Sequence, residues 1–142
     1  MIRDQDDLQA LAYARYSLEF FAGHSLKIKS KVGGALVPLR LNRAQLYVHA
    51  KLEEQKRALG RVRALILKGR QQGVSTYIAA RYYHRTAMHR GISAWIMAHE
   101  QKASDTLFGL VERYHDHNPF RPSTSASNAP AIGRPSTRPS MS

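Results

Sequence analysis

The chain has 142 residues, no cysteine, and 22 Lys and Arg against 10 Asp and Glu, a formal charge of +12. That length allows one domain of ordinary size, and the lack of cysteine excludes a disulfide framework and cysteine-ligated zinc. The basic balance makes a polyanion the default partner, whether nucleic acid, a nucleotide or an anionic membrane. The longest apolar runs fall well short of the ~20 residues that cross a bilayer. The start, Met1-Ile2-Arg3-Asp4-Gln5-Asp6-Asp7, lacks the basic and apolar regions of a signal peptide, so a cytoplasmic protein without membrane partners is expected.

In chain order, Asp4 to Ala22 reads as one helix. Leu8, Leu11, Ala12, Arg15, Leu18 and Ala22 fall near helical spacing, acids occupy the first turn, and Gly23 follows. Leu26 to Lys31 alternates like a half-buried strand. Gly33-Gly34 signals a turn, and Ala35 to Leu39 returns as an edge strand because it contains Pro38. Asn42 to Leu59 reads as a helix, with Asn42 as N-cap and Gln45 three residues on. Leu41, Gln45, Val48, Leu52 and Leu59 line one face, and Gly60 is the stop.

Val62 to Leu67 is a short apolar run interrupted only by Arg63, the pattern of a strand buried on both faces of a parallel sheet. A glycine-containing turn follows, then a helix from about Val74 to Arg90. Ser93 to Ala98 reads as a second buried strand, and about Glu100 to Tyr114 as a last helix. Strand, turn, helix, strand, helix is a βαβα unit, which implies a parallel pair and an α/β fold. Residues 119–142 carry no acid and almost no large aliphatics, a composition expected to remain disordered.

The strongest site signal is Lys68-Gly69-Arg70-Gln71-Gln72-Gly73-Val74-Ser75-Thr76, between a predicted strand and a helix. There, successive backbone N–H groups and a helix N-terminus can cradle a polyphosphate. Gly73 allows close backbone approach, and Ser75 offers a hydroxyl to a nucleotide-bound Mg²⁺. The run departs from the Walker A pattern, which puts lysine where Val74 stands and glycine where Lys68 stands. Either Lys68 or Arg70 would have to neutralise the phosphates. By spacing alone, the same residues also fit an ordinary βα turn.

This loop resembles the deviant Walker A loop of phage terminase large subunits, the ATPases that package viral DNA. The hairpin Leu26 to Leu39, the run Leu41-Asn42-Arg43-Ala44-Gln45 and the segment Ala94 to Glu100 are also similar to that family, so the likeness spans roughly residues 20–128. It implies a partial P-loop NTPase domain of RecA-like (ASCE) type over 42–118, preceded by a helix and basic hairpin over 1–41 and followed by the tail 119–142. It implies ATP and Mg²⁺ as cofactors, with Lys68 or Arg70 as the catalytic cation. Gly69, Gln71, Gln72, Gly73, Val74, Ser75 and Thr76 would contact the nucleotide, and Ser75 the metal. Gln45 would read the adenine edge, a role compatible with its place in a capping box beside Asn42. Double-stranded DNA, a small terminase subunit and a portal protein are the partners implied, in a host cytoplasm.

No apolar strand ending in Asp-Glu follows Ser104; Asp105, Glu112 and Asp116 fall on or just after a helix. No carboxylate-rich nuclease segment follows either. The resemblance therefore implies a truncated ATPase with little turnover of its own. A helicase-like DNA-dependent ATPase fragment and a non-enzymatic basic nucleic-acid-binding protein are the alternatives. The basic run Lys27, Lys29, Lys31, Arg40, Arg43, Lys51, Lys56, Arg57, Arg61 and Arg63 reads as a DNA-facing surface or as a solvated face. The seven histidines show no zinc-enzyme spacing; His99 and Glu100 are minor site candidates at a strand end.

Overall fold

A computed structural model of the chain describes residues 5–121. Most of the expected disordered tail, 122–142, lies outside the described residues. The fold is mixed α/β: α1 (Gln5–Tyr16), α2 (Leu18–Ser25), β1 (Lys27–Lys29), β2 (Leu36–Pro38), α3 (Arg43–Leu59), α4 (Val74–Met88) and α5 (Gln101–Asp116).

The first expected helix is two. Ser17 breaks it, with extended backbone and a hydroxyl that accepts from the Phe20 N–H, so the serine caps a new helix. α2 then runs past Gly23 to Ser25. The hairpin forms where the alternation placed it: β1 and β2 pair antiparallel, with Ile28 opposite Val37 and Lys27 opposite Pro38. Gly33 and Gly34 both take positive φ in the turn, which glycine adopts without a Cβ penalty. α3 starts with a complete capping box between Asn42 and Gln45 and ends on Gly60 in the left-handed region.

α4 is the centre of the core. Val74, Tyr77, Ala79, Ala80, Tyr83 and His84 are all buried, more than one helical stripe. α1, α2, α3 and α5 each pack against it. Ala79 and Ala80 let the neighbouring helices approach closely, and Phe21, Tyr83 and Tyr114 fill the space around them. The Tyr83 ring lies 6.2 Å from Phe21 and 6.0 Å from Tyr114. Its hydroxyl is tied to His115 Nδ1 at 3.1 Å and accepts from Asn118 Nδ2 at 3.2 Å, so this buried polar group is satisfied. A second cluster of Leu18, Leu52 and Tyr77 joins α2, α3 and α4. Leu59, expected on the buried face of α3, is exposed in its last turn.

The parallel pair is the main departure from expectation. The sheet among the described residues is the antiparallel β1–β2 hairpin. Residues 62–67 and 93–98 carry no strand, and Leu65 and Leu67 are fully exposed, as Trp95 and Met97 very nearly are. Their neighbours Ile66 and Ile96 are far less exposed. That alternation is what strand-forming sequence does when one side meets protein and no neighbour meets the other. A strand needs an adjacent backbone to complete its ladder, and the described residues supply only a side chain. The Gln55 amide accepts from the Arg63 N–H at 2.8 Å and donates to the Arg63 carbonyl at 2.9 Å, standing in for one partner residue.

Two measurements check this fold. Amides of 62–67 and 93–98 should exchange with deuterium at nearly unprotected rates while those of the middle of α4 exchange slowly; strong protection in both segments would show that they are paired. His84 is buried and donates from Nε2 to the Ala14 carbonyl at 2.7 Å. Burial is the largest influence on its pKa and lowers it below 6.5. The unfolded chain therefore takes up a proton near pH 6.5 that the folded chain refuses, and stability falls as pH drops below that value. His49 acts in the same direction, again chiefly through burial. The melting temperature should fall between about pH 7.5 and about pH 5.5, and His84→Gln should flatten that dependence.

Candidate functional site

The glycine-containing loop leads directly into α4. Gly73 is the N-cap residue, at φ 72°, and no side chain caps the helix. Gln71 also has positive φ, at 60°. Gly69 lies beneath the folded-back Gln72 side chain: a Cβ there would stand 3.2 Å from Gln72 Nε2.

α3 holds this loop from below. Asn42 Nδ2 donates to the Gln72 carbonyl at 3.2 Å, and Gln45 Nε2 donates to the Gly73 carbonyl at 2.7 Å. In a trans peptide the carbonyl and the next N–H point opposite ways. Drawing these two carbonyls toward α3 therefore turns the Gly73 and Val74 N–H groups away from it. The Ser75 and Thr76 N–H groups follow in the first turn, where no intrahelical acceptor exists. The result is a row of donors at the positive end of a 15-residue helix, an arrangement that attracts an anion.

The side chains around the row are free to act. Lys68, Arg70 and Ser75 are exposed. Neither Lys68 nor Arg70 forms an ion pair among the described residues. Val74 is buried and belongs to the core, whereas Thr76 is half-buried and its carbonyl accepts from the Tyr114 hydroxyl at 3.3 Å. The structure thus brings Lys68, Gly69, Arg70, Gln71, Gln72, Gly73, Ser75 and Thr76 to one loop and helix start.

No known protein family, curated protein or solved structure matches this chain.

Gln45 is engaged with protein on both sides of its amide. Its Oε1 accepts from the Asn42 N–H at 2.8 Å while Nε2 reaches Gly73, and the residue is 3 % exposed. In this structure it positions the loop before α4 and offers no open edge to a base. A polyphosphate fits the remaining groups, since unbonded amides and unpaired cations are both present. For Mg²⁺ the loop offers the Ser75 hydroxyl, and the phosphates would supply other oxygens. Among the described residues no group of three His, Asp or Glu side chains is placed to hold a metal.

His99 and Glu100 are exposed and 3.7 Å apart. Asp105 is bonded to Gln101 on the surface of α5. A cluster that sequence reading missed lies between α3 and α4. Arg81 donates to Glu53 at 2.6 Å and to the Tyr77 hydroxyl at 3.3 Å, and that hydroxyl lies 3.0 Å from His49 Nδ1. The signal was available: His49 and Glu53 are one turn apart on one helix, as are Tyr77 and Arg81 on the other. What the sequence left open was that these two faces meet.

Two substitutions check the construction. Gln45→Ala should cost about 1–3 kcal/mol in urea unfolding, because it strands the Asn42 N–H and takes a donor from Gly73. Gly73→Ala should cost at least about 1–2 kcal/mol through its left-handed backbone. The added Cβ would also stand 2.7 Å from Gln45 Nε2, so the support itself must shift. A Gly73→Ala chain as stable as the native one would refute the loop conformation.

Proposed function

We propose that this chain is the ATP-binding N-terminal part of a viral DNA-packaging ATPase of the terminase large-subunit kind. The observation that carries the reading is the loop before α4: Gly73 caps the helix without a side-chain bond, the first amides are open, and unpaired Lys68 and Arg70 stand beside them. In this reading Ser75 contacts the Mg²⁺ that accompanies ATP, and the loop residues Gly69 to Thr76 enclose the phosphates. Lys68 or Arg70 supplies the cation that the Walker A lysine supplies elsewhere. Residues 62–67 and 93–98 are the flanking strands of a parallel P-loop NTPase sheet whose further strands are not among the described residues. Their exposed apolar side chains support this, because a large apolar surface is seldom left to water without a partner.

The partners under this reading are double-stranded DNA, a small terminase subunit and a portal protein, in the cytoplasm of a host cell. The net charge of +12 suits a DNA partner. Hydrolysis by this chain should be negligible, since none of its apolar runs after the loop ends in the Asp-Glu pair that holds Mg²⁺ and activates water.

Titration with a fluorescent ATP analogue tests the proposal. Mg²⁺-dependent binding is expected, with Lys68→Ala/Arg70→Ala weakening it by about tenfold or more and Ser75→Ala removing most of the Mg²⁺ dependence. Because Gln45 is committed to the loop, ATP and GTP should bind within about threefold of each other. Nucleotide binding that ignores all three substitutions, or no binding at millimolar nucleotide, would sink the reading in favour of a basic nucleic-acid-binding protein.

A further inference from the structure

A cavity of about 300 Å³ lies by the second half of α4, at the opposite end of that helix from the loop. Its walls come from the α1–α2 junction, the second half of α3 and the second half of α4. Arg15, Lys56, Arg81 and Arg85 line it, against the single carboxylate of Glu53. Glu53 is taken by Arg81, whose side chain is only 12 % exposed. Arg15, Lys56 and Arg85 form no ion pair among the described residues. Three cations therefore share one concave wall whose one carboxylate, Glu53, is already paired with Arg81 and is also felt by Lys56.

Two further features bear on this wall. Ser17 and Leu18, the cap and first residue of α2, line the cavity, so the positive end of that helix opens there. His89 also lines it, and its Nδ1 is buried with no hydrogen-bond partner. A buried polar atom without a partner is costly in water-poor surroundings and is resolved when a ligand atom meets it. His84 lines the same wall but has spent Nε2 on the Ala14 carbonyl.

From this convergence we infer a phosphate-group binding site, formed by Arg15, Lys56, Arg85 and His89 around the fixed Arg81–Glu53 pair. Guanidinium groups match phosphate oxygens bidentately, and the three unpaired cations exceed what one small monoanion would require. The phosphate of a nucleic-acid backbone and that of a free phosphate species share the chemistry that this site recognises. The site is separate from the loop before α4 and does not rest on the function proposed for it.

The test measures binding of a short DNA duplex, by fluorescence anisotropy, and of inorganic phosphate, by calorimetry, to the whole chain. Arg15→Ala/Arg85→Ala should weaken at least one of them by about tenfold. For the duplex it should also lower the salt dependence by about one to two phosphate contacts. Lys102→Ala/Arg121→Ala removes the same charge from exposed positions that do not line the cavity and should change binding by less than about twofold at fixed salt, which separates the site from bulk charge. Glu53→Gln keeps an acceptor for Arg81 while removing the competing charge, and should strengthen binding severalfold, an effect that a folding defect does not produce. Loss confined to the duplex assigns a nucleic-acid backbone site, and loss of inorganic phosphate assigns a small-anion site. Equal effects of the two double substitutions, or no effect of Arg15→Ala/Arg85→Ala on either ligand, would overturn the inference.

Discussion

The burial of α4 is the constraint on which the other elements depend. A helix with Val74, Tyr77, Ala79, Ala80, Tyr83 and His84 all withdrawn from water needs cover on several sides. α1 and α2 cover it near His84, α3 near Tyr77 and α5 near Tyr83 and Thr76. Burying a large aliphatic or aromatic side chain is worth about 1.5–3 kcal/mol, so the apolar residues of this one helix supply much of the driving force. The polar groups that go in with them are paired: the hydroxyls of Tyr77, Tyr83 and Tyr114 each have a partner. Burial holds all three phenols above their ordinary pKa, so they remain neutral donors over the range in which the histidines titrate.

The same burial fixes the loop. With α4 buried and α3 packed beside it through Leu52 and Tyr77, the start of α3 lies beneath the chain that enters α4. Asn42 and Gln45 then perform two tasks with one set of atoms. Within α3 they form the capping box, and outward they hold the carbonyls of Gln72 and Gly73. A sequence signal for a helix start thus becomes the support of a different helix start. The open amides at α4 follow from this arrangement, since each carbonyl held toward α3 turns an N–H to the far side.

Local signals were legible in the sequence, and partner-dependent ones were not. The Asn42–Gln45 box, the Gly33-Gly34 turn and the Gly60 stop were readable because each depends on a few neighbouring residues. The break at Ser17 was missed because Leu8 to Ala22 keeps helical spacing across it, and only the capping bond to Phe20 decides for two helices. Glycine spacing marks the loop before α4, whereas the hold that Gln45 has on Gly73 joins positions 28 residues apart and depends on the packing of α3 on α4. Arg81, His49 and Glu53 remained hidden for the same reason. Each is an ordinary polar residue on its own helix, and only contact between the helices makes them a network.

The segments 62–67 and 93–98 show the difference most sharply. Their composition is that of buried strands, yet the described chain leaves Leu65, Leu67, Trp95 and Met97 in water. Strand propensity reports how well a residue fits a pleated, half-buried surface; it does not supply the neighbouring backbone that makes the surface. α4 has its cover within the chain, while the two segments that lead into and out of it have none on their outer sides. Among the described residues the helices are accordingly covered and the two apolar segments are not. Unpaired apolar strand sequence is an open template for further backbone. The loop before α4 lies between the two: its carbonyls are held by α3, and its first residue, Lys68, continues from the unpaired segment 62–67. Pairing of 62–67 with another strand would therefore fix the Lys68 end of the loop as firmly as Gln45 already fixes the Gly73 end.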